Sequence, residues 1–141
     1  MNVVIIDGQG GGVGRGLTEQ MKKHCPDQRL TVLGTNAMAT AAMLRAGAEQ
    51  GATGENAVIV TCRDADLILG PMGIVLADAM LGEITPQMAL AIGQSKAVKI
   101  LVPIKKCKVH VAGTPEAPLA FYIQEAAQKA AQLIRQSEAP A

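Results

Sequence analysis

A short, wholly apolar run, Val3-Val4-Ile5-Ile6, leads directly into Asp7-Gly8-Gln9-Gly10-Gly11-Gly12-Val13-Gly14-Arg15-Gly16, which holds six glycines in ten residues. Few folds accommodate such a pair. β-Branched residues without polar alternation read as a strand buried on both faces, the habit of a parallel sheet. Glycine loses more conformational freedom on folding than any other residue, so a run this dense needs a sharp turn or a backbone that comes close to a ligand. The residues that follow, Leu17-Thr18-Glu19-Gln20-Met21-Lys22-Lys23, are helical in composition, with Leu17 and Met21 on one side. Amides in a strand-to-helix turn converge with the helix start, and together they suit an anion. The alternative is a tight crossover that packs closely and binds nothing.

The remainder of the chain repeats the strand-then-helix rhythm. Leu30-Thr31-Val32-Leu33 reads as a second strand, and Thr35 or Asn36 as the cap of a helix from about Ala37 to Ala48. The glycine-bearing stretch 47–56 reads as a turn, Ala57–Cys62 as a third strand and Leu67-Ile68-Leu69 as a short fourth. Gly70-Pro71-Met72-Gly73 is turn-like, Ile74–Met80 fits a short helix, and Thr85-Pro86 opens another that runs to about Gln94. Ala97–Val102 is a strand, Lys108–Val111 alternates like an edge strand, and Leu119–Arg135 forms the last helix. The predicted architecture is α/β: a three-layer α/β/α sandwich on a Rossmann-like, mostly parallel sheet, with Lys108–Val111 as a candidate antiparallel edge. At 141 residues and 49% apolar content the expectation is one domain over residues 1–136, with 137–141 a frayed tail.

Charge narrows the partners. Thirteen Lys and Arg oppose twelve Asp and Glu, and no long block of one sign occurs, which argues against a nucleic-acid groove or a polybasic membrane anchor. Lys105-Lys106-Cys107-Lys108 is the one local basic patch and reads as a solvated turn; its charge would favour the Cys107 thiolate. Phe121 and Tyr122 are the only aromatic residues, too few for a base-stacking surface. No apolar run approaches the roughly 20 residues of a bilayer span. The opening residues carry no export signal, and Cys25, Cys62 and Cys107 are widely spaced, so a reducing cytoplasmic setting is expected. With two separated histidines, His24 and His110, no zinc or haem site is expected.

In an open parallel sheet the carboxyl ends of the strands share one crevice. That places Asp7, Thr35, Asn36, Thr61, Arg63, Asp64 and Gly70–Gly73 together. Gly8, Gly10, Gly11, Gly12, Val13 and Gly14 would supply turn geometry and backbone donors, and Arg15 would neutralise a phosphate. Asp7 with Thr35 or Asn36 would orient sugar hydroxyls, while Gly70 and Met72 would approach a cofactor ring. The expected ligand is a phosphorylated small molecule, NAD(P) or another nucleotide. The dinucleotide spacing G-x-G-x-x-G is not met: Gly8 and Gly10 are followed by Val13, and Gly10 and Gly12 by Arg15. The acidic residue usual after the second strand is also missing, its place held by Gly34-Thr35-Asn36, which disfavours ribose recognition by a carboxylate and leaves a 2′-phosphate open.

Gly11-Gly12-Val13-Gly14 resembles the centre of the variant phosphate loop of MinD/ParA-type ATPases. Arg15 stands where that loop has lysine and Gly16 where it has the magnesium-binding hydroxyl, so hydrolysis by that route is not expected. Gly10–Gly16 is similar to the tubulin/FtsZ glycine box, but only over seven residues and in a far shorter chain. Over nearly its whole length, and most clearly in the glycine turn, Gly34-Thr35-Asn36 and Ala65–Gly73, the chain resembles a family of small bacterial proteins, mainly from anaerobic Firmicutes, known only as a domain of unknown function. That resemblance implies a bacterial origin and no mechanism. Two further readings stand beside nucleotide binding. One is a regulatory or scaffold module, homodimeric through its alanine-rich helices. The other is a small hydrolase using Asp7 and Asp64 or Asp66 with Mg²⁺.

Overall fold

The computed structural model describes residues 1–105 and 108–140. β1 (Val3–Asp7) passes through α1 (Gly12–His24) to β2 (Leu30–Gly34), then through α2 (Ala37–Arg45) to β3 (Gln50–Thr53). From there α3 (Glu55–Cys62) leads to β4 (Leu67–Pro71), α4 (Pro86–Gln94), β5 (Val98–Val102) and α5 (Leu119–Glu138). The strands form one five-stranded sheet in the order β3-β2-β1-β4-β5, and every pairing is parallel. The chain thus steps outward from β1 to β3 and then returns to the other side of β1. This reversal at the β1/β4 boundary opens a crevice beyond the carboxyl ends of those two strands, the usual ligand position in such sheets.

All five residues of β1 are buried, and their alternation divides the core in two. Val3 and Ile5 pack with Leu17 and Met21 of α1 and Ile123, Ala127 and Ile134 of α5. Val4 and Ile6 face the opposite side, against Val58 and Cys62 of α3 and Met88 and Ile92 of α4. Helices therefore cover both faces, and the expected three-layer Rossmann-like sandwich is what forms. α1 approaches α5 closely because Gly16 leaves room for Ile123; a Cβ there would lie 3.1 Å from Ile123 Cδ1.

Several elements differ from the sequence reading. Ala57–Cys62 lies within α3, and the third strand is the preceding Gln50–Thr53. A run of apolar residues cannot by itself separate a buried strand from a short helix. Here Gly54, with φ 102°, turns the chain before Glu55, and only Val58 and Cys62, four residues apart, are buried. β3 escapes notice because it is an edge strand exposed at every residue; it is held by pairing to β2, and Gly51 admits the Thr40 side chain of α2 above it.

Ile74–Met80 forms no α-helix. A single 3-10 turn spans Met72–Val75, and Asp78, Met80 and Leu81 then take positive φ values of 67°, 59° and 56°. Lys108–Val111 is irregular, so no antiparallel edge strand forms there among the described residues. Pro103, Pro115 and Pro118 around it lack the donors a ladder needs. α5 continues to Glu138, past the Ser137 at which fraying was expected, with the Ser137 hydroxyl bonded to the Ile134 carbonyl. Lys106 and Cys107, and with them much of the basic patch, lie outside the described residues. No described helix is long and apolar enough to cross a membrane.

Candidate functional site

β1 ends on Asp7, whose side chain is turned back into the glycine turn and is 4% exposed. One carboxylate oxygen accepts the Gly8 amide at 2.7 Å and the other the Gly14 amide at 2.7 Å. Gly11, at φ 75°, stands as N-cap without a capping side chain, and the Arg15 amide bonds its carbonyl at 2.8 Å to start the helix. Asp7 thereby satisfies donors that the first turn of α1 would otherwise leave open. Burial pushes its carboxyl above the usual value, opposed by the amides of Gly14, Gly8 and Val13 and reinforced by the charge of Glu83. The side chain expected to hold a sugar is thus engaged in bracing the loop.

The glycines sort into two groups. A Cβ on Gly8 would meet the Met80 sulfur at 2.7 Å, one on Gly11 the Ala39 Cα at 2.9 Å, and one on Gly14 the Asp7 Cβ at 2.8 Å. These three are glycines because the protein leaves no room for more. Gly10 and Gly12 differ: a Cβ at either would meet nothing within 4 Å, and neither has a positive φ. Both are exposed. Neither packing nor conformation within the chain calls for glycine at these two positions.

Thr35 and Asn36 lie at the end of β2 as expected, and Asn36 caps α2 by accepting the Ala39 amide at 2.9 Å. The Thr35 hydroxyl and the Asn36 Nδ2, which also donates to the Gln9 carbonyl at 2.9 Å, converge on Glu83, which sequence reasoning passed over. Its Oε1 accepts the Thr35 hydroxyl at 2.6 Å, the Asn36 Nδ2 at 2.8 Å and the Gln9 amide at 2.9 Å. These bonds, that of Thr35 foremost, hold the carboxyl below its ordinary value. Glu83 reaches this point because its loop folds back on itself: the Asp78 amide bonds the Ile84 carbonyl at 2.7 Å, and Ile84 is fully buried. Nothing in the composition of Met80-Leu81-Gly82-Glu83 announces that conformation.

Gly70 sits inside β4, where any Cβ would run into the Ile6 carbonyl and lie 2.9 Å from Ile74 Cδ1, so its role is strand packing. Met72 is 8% exposed and forms part of a cleft of about 250 Å³ beyond the ends of β4 and β5, with Ile104, Lys105, His110, Glu116 and Tyr122. A wider hollow of about 540 Å³ opens at the opposite, amino edge of the sheet, beside Asn2, Cys25 and Arg29. The reversal in strand order favours the carboxyl edge, where the glycine turn also lies. Arg15 is exposed and lies 3.6 Å from Glu19.

Asp64 and Asp66 do not join this group. Asp66 accepts the Asn2 amide at 2.6 Å, beside the beginning of β1, whereas Asp7 is at its end. Because α3 is a helix and not a strand, its carboxyl end returns the chain to the amino edge, carrying Arg63 with it. The Asp7–Asp64 or Asp66 magnesium pair is not formed. Among the described residues no cluster of three His, Cys, Asp or Glu could hold a metal. Cys62 is 2% exposed, and burial pushes its thiol up to about 11, which fits a packing residue.

No curated protein matches the chain closely enough to count as a relative. Among solved structures, it is similar to a dodecameric FMN-dependent Ubix-like decarboxylase from Escherichia coli O157:H7, at 15% identity and a TM-score of 0.46, covering 92% of this chain and 75% of that one. It is also similar to a protein from Aeromonas hydrophila subsp. hydrophila assigned to the short chain dehydrogenase/reductase family of oxidoreductases, at 15% identity and a TM-score of 0.48, covering 97% and 75%. The family Domain of unknown function (DUF3842) matches residues 2–135, and the chain belongs to it.

Proposed function

We propose that this domain binds a phosphorylated small molecule, a nucleotide or nicotinamide dinucleotide, across the carboxyl ends of β1, β2 and β4. The observation that carries the reading is the pair Gly10 and Gly12, whose missing side chains leave open space over a helix start. Such a surface lets phosphate oxygens reach backbone donors and the positive end of α1. Arg15 belongs to the same reading, because an exposed pair such as Arg15–Glu19 is worth little and leaves the guanidinium free to turn toward phosphate. The cleft beside Met72 and Tyr122 lies on the β4 side of the crevice and would take the far half of a dinucleotide. A bacterial, cytoplasmic setting is part of the proposal; Ala39 and Ala42 of α2 and Ala126, Ala127, Ala130 and Ala131 of α5 pack inside the domain and supply no exposed dimer face.

A module without nucleotide is the second reading. It is favoured by the way Asp7 and Glu83 already satisfy the amides of Gly8, Gly14 and Gln9, which makes the turn self-sufficient. An equilibrium titration of ligand-stripped protein with NADH, NADPH, ATP and GTP, each with and without Mg²⁺, separates the two. Gly12→Glu is the control, since an acidic residue in the first turn favours the helix but repels phosphate. Saturable one-site binding that is lost in the folded variant supports the nucleotide reading. Failure of all four to bind folded wild type supports the module.

A further inference from the structure

The place after β2 where an acidic residue is missing from the sequence is nonetheless filled by a carboxylate. Glu83, supplied by the loop before α4, spans the gap between the glycine turn at Gln9 and the end of β2 at Thr35 and Asn36. In a sheet of this topology that position faces the ribose of a bound nucleotide. We infer that Glu83 makes the site selective for nucleotides whose ribose hydroxyls are free and rejects those bearing a 2′-phosphate. The inference rests on the nucleotide reading and narrows it to one ligand class.

Three features support it. Oε1 is fixed by three donors from two segments of the chain, so the carboxylate is oriented before any ligand arrives, while no described bond engages Oε2. A carboxylate oxygen only accepts hydrogen bonds, and a ribose diol offers two hydroxyl donors where a phosphate dianion offers none. Among the described residues Glu83 has no salt-bridge partner: the described pairs are Arg15–Glu19 and Lys22–Glu49. A 2′-phosphate brought beside it would meet like charge with no described basic side chain already paired there, and juxtaposed like charges weaken binding.

NADH and NADPH differ only in that phosphate, which makes them the direct probes. With the full chain, titration should show NADH binding at least about tenfold more tightly than NADPH, the scale of a modest like-charge penalty. Glu83→Gln keeps an oxygen for the Thr35 and Asn36 donors but removes the charge, and should bring the two ligands within about threefold. Circular dichroism checks that the variant is folded; should it not be, the wild-type ratio decides alone. Equal affinities in wild type, a preference for NADPH, or an undiminished NADH preference in a folded Glu83→Gln would overturn the inference. Binding of neither dinucleotide overturns it as well, and ATP or GTP binding at the same turn would then show that the broader reading survives.

Discussion

The inner and outer halves of the glycine turn obey different rules. Gly8, Gly11 and Gly14 face Thr35 and Met80, Ala39, and Met43 with Asp7, and their lack of side chains serves close packing between β1, α1 and α2. Gly10 and Gly12 face open space a residue or two away. A glycine-rich motif is therefore not one signal but two. The inner half reports how the domain is built, and the outer half reports what it leaves room for.

The sharpest break of that contrast is Gly11→Ala. It forces a left-handed residue and pushes a methyl group toward the Ala39 backbone, and should cost about 3 kcal/mol of unfolding free energy by urea denaturation. Asp7→Ala tests the same inner half from the strand side. It leaves the Gly8 and Gly14 amides without their acceptor and should cost about 2 kcal/mol, partly offset by removing a buried carboxylate.

The smallest effect lies in the pH dependence, where the two carboxylates act with opposite sign. Burial raises Asp7 in the folded state, so its contribution to stability is complete below its ordinary 3.8 and is lost as pH rises through the higher folded value. Glu83 is held below its ordinary 4.5, so its contribution is present above 4.5 and is lost as pH falls through the lower folded value. The stability difference between wild type and Glu83→Gln should therefore hold steady at neutral pH and narrow as acid is added below 4.5. A difference that widened in acid would show that Glu83 is not the charge held by Gln9, Thr35 and Asn36.

Much of the frame was legible from the chain. Val3–Ile6, Leu30–Leu33, Thr85–Gln94 and the long C-terminal helix each carry a local signal that agrees with their tertiary role. The errors fell where the surroundings decide. Ala57–Cys62 has strand composition but lies on a sheet face where only Val58 and Cys62 need burial, and Gln50–Thr53 has no strand composition but borrows its geometry from β2. For the site, the sequence placed Thr35, Asn36 and the glycine turn together. It did not reveal Glu83, which enters on a loop whose left-handed Met80 and Leu81 follow no residue preference. The same misplaced strand brought Asp64 and Asp66 to the wrong edge of the sheet.

Whether the outer half of the turn is open for a ligand is decided by Gly10→Ala and Gly12→Ala, with stability and NADH affinity measured on the same samples. Each variant should unfold within about 0.5 kcal/mol of wild type, while its affinity for NADH falls by at least about tenfold, or about 1.4 kcal/mol. Unchanged affinity in both, or a loss of stability comparable to that of Gly11→Ala, would contradict it.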